Sequence, residues 1–466
     1  MAVSNLVLGV PPAILNLIQE GLLERAFHDG LFPALQYRAE AQDEEWGANS
    51  GTEIFMSRPG LLAPVTTPLL PGVDPTPQTV SYEQWGARLQ RFGGTIDTHI
   101  PTSVVANADL FLRNINQLGL QAGQSLNRLP RNVLFQTYLQ GQTCLIAAAV
   151  AGDTSIRVAS CNGFSTVVTK GVNVRPANVS AAAPLSITIA GVTGTRNVVG
   201  AVPDNPDDGN GPGTLLLDAA VGGAGAANRA SVLSVAAPRI IRSGGGTSVD
   251  AITAGDTFTL QDIINAVNRL RKNNVQPHED GLFHAHISTD GNNQVFADPA
   301  FQRLNTALPD GIYYREAFIG TIAGCAFFLN NENPEPGNAG TRVATGTSAF
   351  YSTDIGAETT NNSGVNIARI LVTGRGALYE KWLDEKKYVT EAGITGKVGE
   401  FQIVNAGIEV QTERIRLILR APLNRLQDVI AATWSITTSF PVPSDVSAGG
   451  PELFKRAICI EHAADS

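Results

Sequence analysis

In LQDIINAVNRLRKNN, residues 260–274, the apolar positions Ile263, Ile264, Val267 and Leu270 fall on one helical stripe. Arg269, Arg271 and Lys272 crowd the last turn, where cations suit the helix dipole, and Asn273 and Asn274 supply a stop. A turn, QPHEDG, and a strand-like run, LFHAHIS, come next. After DGNNQV follows ADPAFQRLN, a short helix with Pro299 in its first turn. The stretch closes on FIGTIAGCAFFLN, an apolar run punctuated by glycine.

Upstream, residues 13–28 predict an amphipathic helix with Ile14, Leu17, Ile18, Leu22 and Phe27 on its apolar side and Gly21 as a weak point. A loop or extended arm, GLFPALQYRAEAQ, follows. Between residues 50 and 100, GTEIFMSRPG and RLQRFGGTIDTHI read as two strands of one long arm. Pro59, Pro64, Pro68, Pro71, Pro75 and Pro77 crowd this stretch and exclude a regular helix or a central strand. It is nonetheless apolar at Leu61, Leu62, Val65, Leu69 and Leu70. A two-stranded arm is poorly stable alone, so an apolar, stiff tip implies a partner surface. Residues 104–140 predict a long helix, with Asn107 or Asp109 as cap and a kink or break at Pro130.

The pattern changes at residue 144. From there to 254 the chain is rich in Ala, Val, Gly, Thr and Ser, and Phe164 is the only aromatic residue. Short alternating runs (TSIRVAS, STVVT, PLSITIAGV, RNVVGAV, TLLLDAAV and SVLSVAA) are separated by turn signals such as DDGNGPG and VGGAGAANR. This predicts a small all-β domain, sandwich or barrel. In ARILVTGRGALYEKW, Ile370–Val372 predicts a buried strand followed by a turn and a short helix. Beyond residue 401 the pattern is mostly β, ending on a strand at KRAICIEHA.

Composition narrows the function classes. The chain of 466 residues is 43% hydrophobic and 16% charged, which suits a large core and extensive burial against other chains. Its net charge of -9 disfavours a dedicated duplex-DNA reader. Leu6–Val10 lacks a basic leader, and CLIAAAVAG falls far short of the roughly 20 residues of a membrane span, so the expectation is a soluble chain made in a cytoplasm. Cys144, Cys161, Cys325 and Cys459 form no CxxC pair; only Cys144 and Cys161 are placed for a disulfide, and buried thiols are the simpler expectation.

Candidate chemistry is sparse. His284 and His286 share a strand face with Glu279 and Asp280 nearby, but no third ligand follows, and two polar residues on a half-exposed strand suffice. GNGPGT at 209–214 and GGAGAA at 222–227 do not join a strand to a helix as a dinucleotide loop does. GITGKV at 393–398 has Val398 where a phosphate loop needs Ser or Thr. NVS at 178 and NNS at 361 match glycosylation sequons in form alone, and Glu44-Glu45 needs no acid–base role. No GxSxG or HExxH occurs. The expectation is no enzyme, no cofactor and no metal.

The order of helix, strand, Pro-marked short helix and G-rich "GTIAGCAFFLN" strand resembles the axial-domain core of tailed-bacteriophage major capsid proteins of the Hong Kong 97 type. FQIVN…GIEVQ…RAPLNR…RAICIEHA adds to the likeness, which excludes 144–254. The resemblance implies an α+β fold with an N-terminal arm (1–49), an E-loop hairpin (50–100) and a spine helix of the peripheral domain (101–143). The inserted all-β domain (144–254), an axial domain (255–400) and C-terminal strands of both domains (401–466) complete it. It further implies a virion structural protein forming hexamers and pentamers of an icosahedral shell around double-stranded DNA, assembled in the host cytoplasm. Portal, scaffold and decoration proteins would be its partners, its contact with DNA would be non-specific, and no membrane would be involved. The inter-subunit contacts implied are Leu61, Leu62, Leu69 and Leu70 at the arm tip and Ile14, Leu17 and Leu22 on the N-terminal arm. The alternative is a virion or cell-surface binding protein that uses the β domain; its near lack of aromatic residues weighs against a sugar platform. Some members of that family link subunits by an isopeptide bond from an arm lysine. Here residues 50–100 hold no lysine, the first being Lys170, and arginine is no substitute as nucleophile.

Overall fold

The computed structural model describes residues 36–464 apart from 48–49, 61, 63, 70–71, 73, 81, 100–109, 169–172, 175, 207–208, 307–319, 331, 335–350, 353, 384–399, 409–412, 421–428 and 447–451. The helix expected at 13–28 and the loop GITGKV lie outside the described residues. The chain divides into two compact units. Residues 1–54, 86–131 and 378–441 form the first; residues 55–85, 132–377 and 442–466 form the second.

In chain order, β1 (Ala41–Glu45) precedes the arm, whose outgoing strand is β2 (Glu53–Pro59). The returning strand is β3 (Tyr82–Arg88), and β4 (Gln90–His99) follows after one residue. This corrects the sequence expectation, which placed the return in RLQRFGGTIDTHI. YEQWGAR alternates, burying Glu83, Trp85 and Ala87, and the acid at the first of these disguises the pattern.

Helix α1 (Leu110–Tyr138) is one continuous element with Pro130 inside it, so the chain does not break there. Ile115, Leu118, Ala122, Leu126, Leu134 and Tyr138 are buried at helical spacing on both sides of Pro130. Packing of that face offsets the roughly 3 kcal/mol that an interior proline costs.

The β-rich segment contributes β5 (Gln142–Cys144), β6 (Ser155–Val158), β7 (Thr166–Val168), β8 (Asn173–Val174), β9 (Pro176–Asn178), β10 (Leu185–Ile189), β11 (Arg196–Pro203), β12 (Gly213–Leu217) and β13 (Ser231–Ser234). The order β5-β13-β10-β11-β12-β6 is antiparallel throughout. A bridge from Leu145 to Val158 closes it, with the Ala159 amide donating to the Cys144 carbonyl at 2.9 Å. The result is a six-stranded barrel filled by Ile156, Phe164, Ile187, Val198, Leu215 and Val232 among others. Every short run noted in the sequence is a strand here. The barrel ends earlier than the expected boundary at 254, because β14 (Ile240–Arg242) pairs elsewhere. We expect the fragment 141–237 to be soluble and to give a β-type circular dichroism spectrum when expressed alone; a helical or disordered spectrum counts against a separable domain.

The remainder of the second unit is organised on another six-stranded sheet, order β14-β25-β20-β15-β17-β16. Helix α2 (Leu260–Lys272) starts at a Thr259–Asp262 capping box and buries Ile263, Ala266, Val267 and Leu270. Then come β15 (Phe283–Ile287), α3 (Thr289–Ala297), α4 (Pro299–Thr306), β16 (Thr321–Ile322) and β17 (Cys325–Leu329). Ala323 and Gly324 both take positive φ, as a tight hairpin of the primed type requires. Strands β18 (Tyr351–Ser352) and β19 (Ala357–Glu358) form a small hairpin. Strand β20 (Ile367–Thr373) is buried at all seven positions, as the apolar run predicts.

Strand β21 (Leu378–Trp382) replaces the short helix expected at ALYEKW, burying Leu378, Glu380 and Trp382 on one face. With β22 (Glu400–Ile408), β23 (Glu413–Arg420) and β24 (Val429–Ser439) it belongs to the sheet of the first unit, where β1 runs parallel to β21. Strand β4 pairs with β24 over ten residues, Gln90–His99 against Val429–Thr438. A Cβ at Gly93 would stand 2.6 Å from the Trp434 carbonyl, so the close approach requires glycine. Glu380 is tolerated inside because Arg38 donates to both its oxygens at 2.7 and 2.6 Å. The last strand, β25 (Ala457–Ala463), lies between β14 and β20 in the second unit.

Candidate assembly surface

The arm buries little of its own surface. None of the seven β2 residues is buried. Phe55 is 61% exposed, Leu62 52%, Val65 70% and Leu69 60%. From residue 62 to 79 every described residue is exposed. Proline density excludes the regular hydrogen bonding by which such a segment would build its own core. Of the residues expected to contact neighbours, Leu62 and Leu69 are placed at this exposed tip. Leu61, Leu70, Ile14, Leu17 and Leu22 lie outside the described residues.

The base of the arm is fixed where the tip is not. Strand β3 is the middle strand of a three-stranded sheet, flanked by β2 and by β8. Tyr82 and Glu83 run parallel to Asn173 and Val174. Glu83 is fully buried; its carboxylate accepts from Arg58 Nη2 at 2.8 Å, from Ser444 Oγ at 2.6 Å and from the Asp445 amide. Asp445, itself buried, accepts from Arg58 Nη2 at 2.7 Å, Arg456 Nε at 2.8 Å and the Lys455 amide at 3.2 Å. Arg58 also lies over the Trp85 ring, 5.8 Å from its centroid. Burial alone would lower the Arg58 pKa; the hydrogen bond and charge of Asp445, then those of Glu83, outweigh it and hold the pKa above its ordinary value.

The sequence expectation missed this cluster. Glu83 and Asp445 are 362 residues apart, and no local signal connects them.

The other candidates resolve into structure. His284 hydrogen-bonds Asp280 at 3.0 Å and stacks on His278 with ring centroids 3.9 Å apart. His286 is buried rather than half-exposed and stacks on Phe328. GNGPGT leads into β12, and GGAGAA is a turn between β12 and β13; neither opens a helix. All four cysteines are free and buried, including Cys144 and Cys161. Burial first, then the nearby Glu358 charge, pushes the Cys144 thiol pKa well above its ordinary value. Cys144, Asp250 and Glu358 bring ligand atoms within 4.8 Å of one another, but Arg229 already pairs with both carboxylates, at 2.6 and 2.7 Å. That arrangement joins the barrel to the β18–β19 hairpin. Among the described residues no helix is long and apolar enough to cross a membrane.

No family model matches the chain, and no curated protein matches it. Among solved structures the chain is similar to the capsid asymmetric unit of cyanophage Pam1, at 11% identity and a TM-score of 0.46, over 94% of this chain and 92% of that one. It is similar to the capsid of Ralstonia phage GP4, at 12% identity and a TM-score of 0.45, over 94% and 91%. It is also similar to the head structure of Helicobacter pylori bacteriophage KHP40, at 8% identity and a TM-score of 0.46, over 93% and 90%.

Proposed function

We propose that the chain is a major capsid subunit of a tailed bacteriophage, assembling into hexamers and pentamers of an icosahedral shell around double-stranded DNA. The observation that carries this reading is the arm: a buried, charge-fixed base presenting an apolar tip that its own chain leaves exposed. The function is geometric. The tip at 62–69 lies on a neighbouring subunit, α1 acts as the spine of a peripheral domain, and the sheet built on β15, β20 and β25 forms the axial domain. The barrel at 142–234 is an inserted domain. Assembly takes place in the host cytoplasm, with portal, scaffold and decoration proteins as partners and DNA touched without sequence preference.

Size-exclusion chromatography with negative-stain imaging of the purified chain tests the reading. Shells or capsomers support it; a chain that stays monomeric at high concentration, with or without crowding agents, overturns it.

The arm offers no lysine, so the subunits are held by non-covalent burial, at roughly 25 cal/mol per Å2 of apolar area. Particles boiled in denaturant under reducing conditions are expected to run as one band at the chain mass of 49.1 kDa. A ladder of covalent multimers contradicts this.

A further inference from the structure

We propose that Arg58, Glu83, Asp445 and Arg456, together with β8 of the barrel segment, form a clamp that sets the direction in which the arm leaves its subunit. These are positioning residues for the subunit contact, and the inference rests on the assembly reading above. An extended arm whose described tip residues are all exposed takes its direction from whatever holds its base. Here two independent fixings meet at one residue. The backbone at Glu83 runs beside Val174 of β8, and its side chain enters the charged cluster. The barrel segment therefore holds one side of the returning strand, and the C-terminal segment around Asp445 holds the other.

Asp445 adds a sign of constraint. Its φ of 57° lies in the left-handed region, which non-glycine residues adopt at a cost. Two arginines and the Lys455 amide hold its carboxylate in that conformation. Arg456 in turn donates to the Arg375 carbonyl at 2.8 Å, tying the cluster to the loop that follows β20. A surface pair at this place would be worth little. Glu83 and Asp445 are instead withdrawn from water, so each depends on its partners. The apolar tip supplies contact area, and the clamp determines whether that area arrives at the neighbour.

The test uses the full chain with Glu83→Gln and Asp445→Asn, separately. Both keep the side-chain shape, and asparagine tolerates left-handed backbone. Hydrogen exchange of the unassembled subunit is followed in peptides covering β2 and β3, and shell yield is measured in parallel. Asp204→Asn, which breaks the exposed Arg157–Asp204 pair at 2.6 Å in the barrel, is the control. The expected result is cooperative melting in both variants, exchange in β2 and β3 faster by about tenfold or more, unchanged exchange in β20 and β25, and a similar loss of shells. Arg58→Lys, which keeps one cation, is expected to lie between wild type and the two variants.

Wild-type exchange in β2 and β3 of either folded variant overturns the clamp. So does equal acceleration in β20 and β25, which would mean a purely structural role. If Glu83→Gln fails to fold, Asp445→Asn and Arg58→Lys decide the matter. Because exchange is read on the free subunit, a wild-type chain that makes no shells defeats the assembly reading while leaving the clamp to stand or fall on its own.

Discussion

Deleting residues 60–77 is expected to leave a cooperatively folded subunit that no longer forms stable shells. The described residues of this segment include none that is buried, so the fold loses almost nothing with them. Closing a shorter loop between β2 and β3 changes the chain entropy by only about 1.5 kcal/mol, in favour of the deletion. The proposed contact, by contrast, loses the exposed Leu62, Val65 and Leu69 together. Burying three such side chains is worth roughly 5 kcal/mol in all, more than a thousandfold in a pairwise association constant. If each subunit of a shell makes this contact once, the loss multiplies over the particle. Thermal melting checks the first half of the expectation, and sedimentation with negative-stain imaging checks the second. Shells of wild-type yield from the deletion rule out the arm as an inter-subunit contact.

Glu461→Ala is expected to destabilise the second unit by about 3–5 kcal/mol, the usual cost of leaving buried cations short of their counter-ion. Glu461 sits on β25 and is almost wholly buried. Arg242 Nε donates to one oxygen at 2.9 Å, and Arg369 Nε donates to the other at 3.0 Å. Arg369 is fully buried as well, so it has no water to fall back on. The exposed Arg157–Asp204 pair has the same chemistry, yet Arg157→Ala is expected to cost less than about 1 kcal/mol because solvent screens it. Denaturant titration of the two variants beside wild type measures the contrast; equal effects contradict it.

A pH dependence follows from the same cluster. Burial alone would raise the Glu461 pKa, but the charges of Arg242 and Arg369 outweigh it and hold the pKa below its ordinary value. A carboxylate with a depressed folded pKa contributes stability above the unfolded value, and that contribution is lost as pH falls through the folded one. Glu461 should therefore stabilise the fold fully above about pH 5 and progressively less below about pH 4.5. Glu461→Gln carries no titrating proton. Its stability deficit relative to wild type should shrink as pH drops through that window, and a deficit constant with pH contradicts the assignment.

Much of the architecture was legible because local pattern and tertiary role coincide. Helix α2 carries its cap, its stripe and its stop within fifteen residues, from Thr259 to Asn273. Strand β20 reads as apolar because all seven of its positions are buried. In the barrel, strands alternate because one face fills the interior and the other meets solvent.

At three elements that local pattern left unassigned or assigned otherwise, a buried polar group is satisfied by distant residues. Residues 289–297, DGNNQVFA and the threonine before them, do not look like a helix, yet α3 forms there. Ser288 caps it, and Gln294 is satisfied inside by the Phe258 amide and the Ala463 carbonyl. ALYEKW reads as a helix until Arg38 makes Glu380 a buried strand residue. YEQWGAR reads as loop until Arg58, Ser444 and Asp445 take up Glu83.

The amino-acid sequence by itself determined the elements that need no distant partner: α2, the alternating strands of the barrel, the buried run of β20, and an arm too apolar at its tip and too rich in proline to fold on itself. Only the tertiary structure decided the rest. It let α1 pass through Pro130, closed the barrel near 234, made YEQWGAR the returning strand, and gathered Arg58, Glu83, Asp445 and Arg456 at the base of the arm. The physical reason is common to all four. Whether a proline, a carboxylate or a strand edge is tolerated depends on the packing and hydrogen bonds that meet it, and these come from residues tens to hundreds of positions away.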